Sequence, residues 1–474
     1  MQKPPDLLNR DAEWTRLGKV AESDDPELCI VMGRRRAGKT YLLTRCAAAC
    51  RGIYYQATKK TEREQLPTLS RIIGEHFDDP AFKRVAFESW EHLFGYLIER
   101  AGNEPLLLVL DEFPYLADAG PALTSILQNE WDHRLGGTRL KLVLCGSHIT
   151  AMRRLTEEDQ PLFGRRTALI ECLPFGHENA ASFAPTFDPR DKLRLYGIFG
   201  GLPGHLALVD PGRSLVDNVK RLILDPTARL YDEGAHLFDA FLGESEVHYS
   251  IIEAIALGET RWSGISNRVG RSSSSLLNPL NWLMEMGVVQ REAPITEYPN
   301  PARNKMRYRI ADPYLVFWHR FVADIRARGL ATVRAPEELW AAYIEPRLDQ
   351  YMGGVFGEAC RSFVLRTGHP DLPIRPVQVG RWWTEDGQEE VDVVALGSEG
   401  EVLFGEVKWG TVDGRDLEAL QRRGDLILPH LKGVRSVSYA LFSAGGPPDE
   451  ATLERCEKSG ARHFSAEDLF ASER

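Results

Sequence analysis

A glycine-rich segment near the start of the chain has the residue types and the spacing of a phosphate-binding loop, GxxxxGK[ST]. Its sequence is Gly33-Arg34-Arg35-Arg36-Ala37-Gly38-Lys39-Thr40. The backbone N–H groups of such a loop bind phosphate oxygens, the lysine neutralises the β- and γ-phosphates, and the threonine hydroxyl is a ligand for Mg²⁺. A glycine-rich turn that binds nothing is the alternative, but the apolar run before the motif and the helical pattern after it disfavour that alternative. The segment therefore predicts a nucleotide site that uses Mg²⁺.

Two adjacent carboxylates follow a second apolar run. Residues 106–110 are all apolar without alternation, which is typical of a parallel strand buried on both faces, and Asp111 and Glu112 come directly after them. We expect Asp111 to hold Mg²⁺ through its water shell and Glu112 to orient and deprotonate the attacking water. A solvated acidic turn is the weaker alternative beside a phosphate-binding loop. The adjacent pair implies hydrolysis, because nucleotide binding alone needs no base beside the metal ligand.

Three more polar residues are candidates for contact with the γ-phosphate. Ser147 follows an apolar run and can hydrogen-bond the γ-phosphate or the water, although a role as N-cap of a helix that starts at Ile149 is nearly as compatible. Arg165 and Arg166 precede the next apolar run and can stabilise transition-state charge in their own subunit or in a neighbour's. A basic surface loop is the alternative for both arginines, and it stays open.

These motifs together resemble a family of prokaryotic, mostly archaeal-type ATPases of the AAA+/STAND group. The resemblance implies ATP as the nucleotide and a five-strand core with an extra strand between the phosphate-loop strand and the Asp-Glu strand. It also places the segment that contains Arg10 near the adenine, and it implies a winged helix and a C-terminal domain after the core. The matching segments lie at 9–13, 32–40, 110–112, 145–147, 163–166 and 199–203.

The middle of the chain has the pattern of a winged helix. Helices are predicted at 249–257, 263–270 and 272–286, and strands follow at 288–291 and 306–310. The expected wing is basic, and the expected recognition helix begins with a serine run, so both can contact the phosphates of double-stranded DNA. Docking of the wing on an acidic surface of the same chain fits the sequence about equally well. The residues concerned are Arg303, Lys305, Arg307 and Arg309 in the wing and Arg271-Ser272-Ser273-Ser274-Ser275 at the helix start.

Four residues towards the C-terminus resemble the signature of the PD-(D/E)xK nuclease fold. Asp392 lies near the start of one predicted strand, and Glu406 and Lys408 share one face of the next, so a hairpin can bring them together. Glu358 matches the additional acidic residue that many members carry on a helix. The resemblance implies that Glu358, Asp392 and Glu406 bind Mg²⁺ and that Lys408 positions the nucleophile. A structural Glu–Lys arrangement, or a degenerate member that only binds or scaffolds, remains an open alternative.

The composition is typical of a multidomain protein of the cytoplasm. The chain has 474 residues, 43% of them hydrophobic, and seven scattered cysteines without a CxxC pair, which predicts reduced core thiols. The sequence has no apolar signal region and no run of membrane-spanning length, so we expect no membrane partner. The net charge of −10 argues against a chain that coats nucleic acid indiscriminately but permits a local basic surface.

The predicted fold class is α/β. A P-loop ATPase core with a parallel sheet at 1–210 precedes a helical lid and winged helix at 211–311, and a linker helix with a smaller domain similar to restriction endonucleases occupies 312–474. The leading functional hypothesis is a Mg²⁺-dependent ATPase that gates a DNA-directed activity, with DNA cleavage as the expected reaction. The alternative is a nucleotide-driven switch or scaffold whose silent last domain recruits a protein partner. A homo-oligomer is compatible with both hypotheses.

Overall fold

The chain folds as two compact units, Met1–Pro174 and Phe175–Arg474. The structure, a computed structural model, describes residues 1–83, 85–101, 104–236, 246–366 and 372–471. The domain boundaries expected near residues 210 and 311 both lie within the second unit, and they stay predictions.

The first unit is built on a five-stranded parallel sheet. Its strands are β1 (Glu27–Met32), β2 (Ile53–Gln56), β3 (Leu106–Asp111), β4 (Leu140–Gly146) and β5 (Ala168–Glu171). The strand order β2-β3-β4-β1-β5 places β4 between β3 and β1, so the extra strand that the family resemblance implies is present. The central strands β1, β3 and β4 are almost completely buried, as their apolar runs predict, although β4 also buries the charged side chain of Lys141. Their carboxyl ends meet at one edge of the sheet, where ligands of parallel sheets bind.

Helices of the first unit connect and cover these strands. Helix α2 starts at the last two residues of the glycine-rich loop, so its N-terminus faces the same edge of the sheet. The helices are α1 (Asp11–Glu22), α2 (Lys39–Ala49), α3 (Glu62–His76), α4 (Trp90–Arg100), α5 (Phe113–Ala119), α6 (Leu123–His133) and α7 (Ile149–Arg154).

The second unit begins with short helices. They are α8 (His177–Ala181), α9 (Pro189–Phe199), α10 (Pro203–Leu206), α11 (Leu215–Val219) and α12 (Glu233–His236). Three helices and a hairpin follow, in the order expected for the winged helix. They are α13 (Glu246–Ala256), α14 (Trp262–Val269), α15 (Ser273–Glu285), β6 (Val289–Glu292) and β7 (Arg307–Ile310). The two strands pair antiparallel, with Val289 opposite Ile310 and Glu292 opposite Arg307. The predicted helices and strands of this region are therefore present, with small shifts at their ends.

A linker of aromatic-rich helices leads to the last sheet. The helices are α16 (Pro313–Phe317), α17 (Ala323–Ala327), α18 (Pro336–Leu339) and α19 (Glu345–Leu365). The sheet and its remaining helices are β8 (Pro376–Trp383), β9 (Glu390–Gly397), β10 (Glu401–Lys408), α20 (Gly414–Ile427), β11 (Ser436–Ser443), α21 (Glu450–Ser459) and β12 (Arg462–Ser465). The strand order is β12-β11-β10-β9-β8, antiparallel from β8 to β10 and parallel from β10 to β12. Helices α19 and α20 both contact this sheet.

Candidate functional site

The glycine-rich loop lies between β1 and α2, as its sequence predicts. A side chain at Gly33 would be impossible, because a Cβ atom there would lie 2.4 Å from the carbonyl oxygen of Cys172. Gly38 has a left-handed backbone with φ of 83°, which glycine adopts without strain, and α2 begins at the next residue. The Lys39 ammonium donates hydrogen bonds to the carbonyl oxygens of Gly33 at 2.8 Å and Arg34 at 3.0 Å. These bonds hold its charge inside the curve of the loop, where only 5% of the residue is exposed.

The other residues of the loop present different environments. Arg34 and Ala37 are buried, Arg35 is exposed, and Arg36 is half-buried with a left-handed backbone at φ 68°. The loop therefore offers one freely exposed arginine side chain, at Arg35, beside the start of α2. That all of residues 33–40 contact nucleotide stays a prediction.

Thr40 and Asp111 converge at the edge of the sheet. The Thr40 hydroxyl donates to Oδ2 of Asp111 at 2.6 Å, and Asp111 is fully buried at the end of β3. Hydroxyl and carboxylate oxygens are ligands that Mg²⁺ prefers, so this donor pair fits the ion that the phosphate-binding loop implies. The structure thus brings together the two residues that the sequence predicts as metal ligands of the ATPase core.

Tyr54 is a third member of this cluster that the sequence analysis missed. Its hydroxyl donates to the same Oδ2 atom of Asp111 at 2.7 Å. Burial and the charge of Asp111 raise the pKa of Tyr54, so the phenol stays protonated and remains a donor. Tyr54 lies on β2, which pairs with β3. Tyr54 is the second residue of β2, opposite Val109 of β3, and its contact with Asp111 depends on the order of the strands, which no motif specifies.

Glu112 and Ser147 form the second pair at this edge. The Ser147 hydroxyl donates to Oε1 of Glu112 at 2.6 Å. Glu112 has a left-handed backbone with φ of 53°, a conformation that costs a residue other than glycine roughly 1–3 kcal/mol and is found most often at functional sites. The N-cap of α7 is His148, so the alternative role of Ser147 as the cap of that helix is wrong. Ser147 instead fixes the direction of the Glu112 carboxylate.

Arg165 and Arg166 have partners outside the phosphate-binding loop. The Arg165 guanidinium makes two hydrogen bonds to the Asp132 carboxylate, at 2.6 and 2.9 Å, and also donates to two carbonyl groups of its own loop. Arg166 donates to the Thr156 hydroxyl at 3.4 Å. In this structure the Arg165 guanidinium is bound by Asp132, so it is not placed as a γ-phosphate ligand of its own subunit. Action on a neighbouring subunit stays a prediction.

Arg10 connects the loop to the segment after β5. Its guanidinium donates to the carbonyl oxygens of Ala37 at 2.9 Å and Leu173 at 2.7 Å, and it pairs with Glu13 at 2.7 Å. Only 7% of Arg10 is exposed. The residue therefore supports the loop from the side, and its proximity to an adenine stays a prediction.

Asp392 and Glu406 approach each other in the last domain. The hairpin register pairs Gly405 with Val393, and the Val407 N–H donates to Oδ2 of Asp392 at 3.1 Å. Burial, and then the charge of Asp392, raise the pKa of Glu406 to about 7 against the lowering influence of Arg423. The Arg423 guanidinium lies 3.0 Å from the Glu406 carboxylate. The hairpin therefore brings Asp392 close to Glu406, but an arginine from α20 is paired with the Glu406 carboxylate.

Lys408 and Glu358 also have partners of opposite charge. Lys408 forms an ion pair with Asp416 on α20, and Glu358 pairs with Arg309 at 2.9 Å and Arg361 at 2.9 Å. Burial would raise the pKa of Glu358, but the two arginines outweigh it and lower that pKa. Across the described residues, no group of three Asp, Glu, His or Cys side chains could hold a metal ion. The described structure therefore does not group Glu358, Asp392 and Glu406 as a metal site, because arginines pair with two of these carboxylates. That the three bind Mg²⁺, with Lys408 as the positioning residue, stays a prediction.

The wing is docked on the last domain of the same unit. Arg307 pairs with Glu390 at 3.0 Å and lies over the Trp383 ring at 4.3 Å. Arg309 pairs with Glu358, and Lys305 pairs with Glu297 at 2.7 Å. Of the two alternatives for the wing, internal docking accounts for the contacts of Arg307 and Arg309, whereas Lys305 pairs with a residue of the wing itself.

Two family models match the chain in separate regions. Residues 7–209 match an ATPase domain that occurs predominantly in Archaea. The chain contains an archaeal-type P-loop ATPase domain. Residues 318–420 match a family of archaeal and bacterial proteins of unknown function. The ATPase domain covers the loop, β3 and β4, so Lys39, Asp111 and Ser147 all lie within it.

Two relatives and one solved structure are similar to parts of the chain. An uncharacterized protein of Methanocaldococcus jannaschii is 29% identical over 421 residues, which are 88% of this chain and 90% of that protein. A second uncharacterized protein of the same organism is 32% identical over 90 residues, 19% of this chain and 86% of its own length. A Walker-type ATPase of Pyrococcus abyssi has a similar fold, with 21% identity and a TM-score of 0.50 over 66% of this chain and 96% of that one. None of the described helices combines the length and the apolar character needed to cross a bilayer.

Proposed function

We propose that this protein hydrolyses ATP in the presence of Mg²⁺ and uses the nucleotide state as a switch for its winged helix and C-terminal domain. The observation that carries the hydrolytic part is the arrangement at the end of β3. Asp111 is hydrogen-bonded to Thr40 of the loop at 2.6 Å, and the neighbouring carboxylate of Glu112 is oriented by Ser147. A metal ligand beside a base is the arrangement that nucleotide hydrolysis requires. When bound, Mg²⁺ would neutralise charge on the β- and γ-phosphates.

Removal of divalent metal is expected to abolish ATP turnover. Thr40 and Asp111 would hold the Mg²⁺ ion, and the ion would offset the negative charge of the phosphates. The purified full chain should release phosphate from ATP with Mg²⁺ and should stop when excess EDTA is added. Restoration by a second addition of Mg²⁺ excludes irreversible unfolding as the cause. Equal turnover with and without EDTA would refute the proposal.

For the C-terminal domain we favour the role of a switch or scaffold over that of a nuclease. Metal-dependent phosphodiester cleavage needs carboxylates that are free to bind the ion. Here Glu406 is paired with Arg423 and Glu358 with two arginines, while the expected catalytic lysine is paired with Asp416. These pairs neutralise the site without a metal. The partner of such a scaffold, whether another protein or a second copy of this chain, stays a prediction.

Supercoiled plasmid DNA is expected to stay intact when it is incubated with the protein, Mg²⁺ and ATP, because Asp392 and Glu406 do not form a metal site together with Glu358. Agarose gels of plasmid over time measure nicking and linearisation. Nicking by the unmodified protein that disappears in Asp392→Ala, but persists in a control with the exposed Asp425→Ala, would restore the cleavage hypothesis.

Contact with double-stranded DNA is a second candidate function, and the start of the recognition helix favours it. Arg268 and Arg271 are exposed, and neither pairs with an acidic residue in the part of the chain that the structure describes. The exposed serines 272–275 lie at the N-terminus of α15, where side chains and backbone N–H groups can bind phosphate. In contrast, Arg307 and Arg309 of the wing already have carboxylate partners.

Two double substitutions separate these surfaces. Arg268→Ala with Arg271→Ala is expected to weaken duplex binding for all sequences alike and to flatten the salt dependence by about one unit of slope for each arginine that binds a phosphate. Arg307→Ala with Arg309→Ala is expected to lower thermal stability instead, because the substitutions remove the ion pairs with Glu390 and Glu358 and the contact of Arg307 with the Trp383 ring. Fluorescence anisotropy of a labelled duplex at several salt concentrations measures the first effect, and thermal unfolding measures the second. A larger decrease of affinity in the wing variant would assign DNA binding to the wing.

A further inference from the structure

The outer face of helix α15 consists of four exposed side chains, none of which is charged. These side chains are Ser274, Leu277, Asn278 and Asn281. Counted from the first, the others follow after three, four and seven residues, so all four lie on one side of the helix over two turns. The buried leucines of α15 lie on the opposite side and pack into the protein. The outer face is therefore accessible to another molecule.

The stability of the helix does not explain the composition of this face. Serine and asparagine are poor helix formers, and the solvent side of a helix usually carries charged residues. Leu277 leaves an apolar side chain in water, with 40% of the residue exposed. Across the described ranges, neither Asn278 nor Asn281 hydrogen-bonds another residue through its side chain. Both amides, each a donor and an acceptor, are available to a ligand.

The segment around the outer face is positively charged. Residues 260–284 contain three arginines and no Asp or Glu, although the whole chain has 68 acidic residues and a net charge of −10. Arg268 at the end of α14 and Arg271 in the turn before α15 are both exposed. Charge of this sign is complementary to a polyanion. The two arginines are placed to bind backbone phosphates beside the helix, while the uncharged outer face is left for the bases.

We propose that the outer face of α15 enters the major groove of double-stranded DNA and reads A·T base pairs there. The major groove is wide enough to admit an α-helix. From Ser274 to Asn281 the helix rises by about 10 Å, which corresponds to about three base pairs. The inference rests on the DNA contact proposed above, and it adds which residues read the bases and which bases they read.

The side chains of the outer face favour A·T over G·C pairs. An asparagine amide makes two hydrogen bonds to adenine, at N6 and N7, and an apolar side chain contacts the methyl group of thymine. Asn278, Asn281 and Leu277 supply these groups. Guanine presents two acceptors in the major groove, which arginine or lysine binds best, and the outer face has neither.

Fluorescence anisotropy of the full chain with labelled duplexes of equal length tests the proposal. The probes are an alternating A·T duplex, an alternating G·C duplex, and the A·T duplex made with an adenine analogue that lacks the N7 atom. The A·T duplex is expected to bind about ten-fold or more tightly than the G·C duplex, since one base contact of this kind contributes about that factor. The analogue is expected to remove most of this preference, because it changes the major groove and leaves the phosphates and the minor groove as they were.

Substitutions on the outer face identify the residues that read the bases. Asn278→Ala with Asn281→Ala is expected to lower the affinity for the A·T duplex to that for the G·C duplex and to leave the latter unchanged. Leu277→Ala is expected to make binding insensitive to the replacement of thymine by uracil, which lacks the methyl group. Asn129→Ala, at an exposed asparagine of α6 in the first unit, is the matched control and is expected to keep the preference. Because all these positions are exposed, the unfolding temperature should stay nearly unchanged.

Three results would overturn the proposal. A preference for A·T that survives the double asparagine substitution or the loss of N7 would mean that the bases are read elsewhere or through the shape of the DNA. Equal affinity for the A·T and G·C duplexes would also overturn it, although salt-dependent binding that is lost in Arg268→Ala with Arg271→Ala would leave the DNA contact itself standing. The absence of binding to every duplex at low salt would overturn both the base reading and the DNA contact. None of these results bears on ATP hydrolysis.

Discussion

Glu112→Gln is expected to slow ATP hydrolysis by roughly 10²–10⁴-fold while ATP binding stays nearly unchanged. The amide has the same size as the carboxylate, and its oxygen can still accept the hydrogen bond that Ser147 donates at 2.6 Å. It cannot accept a proton from water, so the substitution removes the chemical step and keeps the geometry. Phosphate release under saturating ATP measures the turnover number, and calorimetry measures the dissociation constant of ATP.

The control for this substitution is Glu99→Gln on the exposed face of α4, which is expected to behave as the unmodified protein. Ser147→Ala gives a further comparison. It frees the Glu112 carboxylate without removing the base, so we expect a smaller decrease in turnover than in Glu112→Gln. Loss of ATP binding in Glu112→Gln would mean that the residue is structural, and an unchanged turnover number would mean that another group is the base.

The backbone of Glu112 is held independently of its carboxylate, so an effect on catalysis can be distinguished from an effect on the structure. The strain at φ 53° is compensated by the buried end of β3, where the Glu112 N–H donates to Oδ1 of Asp111 at 2.9 Å. This bond involves the backbone and not the Glu112 carboxylate. A change from carboxylate to amide therefore leaves the backbone hydrogen bond intact, and an effect on turnover alone points to the proton.

The sequence predicts well which residues lie at the carboxyl edge of the first sheet, because the strands and the glycine-rich loop follow from local patterns. Apolar runs predict β1, β3 and β4 as buried parallel strands, and the carboxyl ends of parallel strands meet at one edge. Thr40 and Asp111 meet there for that reason. Tyr54 joins them only because β2 pairs with β3, and the order of strands in a sheet is set by long-range packing that a single sequence does not display.

In the C-terminal hairpin the sequence predicts the strands but not the partners of the acidic residues. Alternating residues predict two strands, and the pairing of Gly405 with Val393 follows from the short turn between them. The partners of the acidic residues come from distant segments: Arg309 from the wing for Glu358, and Arg423 from α20 for Glu406. A short motif specifies which carboxylates lie near one another. It does not specify which cations the rest of the fold brings to them, and those cations decide between a metal site and a set of ion pairs.

Lys39→Ala is expected to weaken ATP binding by about 100-fold or more and to abolish turnover, because it removes a charge that makes charge-assisted hydrogen bonds to phosphate. The ammonium now donates to Gly33 at 2.8 Å and to Arg34 at 3.0 Å, both within the loop. It is therefore already positioned where phosphates bind, and the exposed arginine of the loop, Arg35, is not held in that position. Calorimetry with ATP and Mg²⁺ measures the affinity, and phosphate release measures turnover.

The same two hydrogen bonds allow a structural explanation of that result, and the controls must separate it from loss of charge. Lys39→Arg keeps the charge but has a longer and planar head group that does not fit the curve of the loop, so it is expected to fold normally and still bind ATP poorly. Lys59→Ala changes an exposed lysine and is expected to have no effect. If Lys39→Ala unfolds at a much lower temperature than the unmodified protein, the lysine mainly stabilises the loop. If the unfolding temperature is preserved and ATP no longer binds, the lysine acts on the phosphates directly, and full-rate hydrolysis by Lys39→Ala would exclude this loop as the nucleotide site.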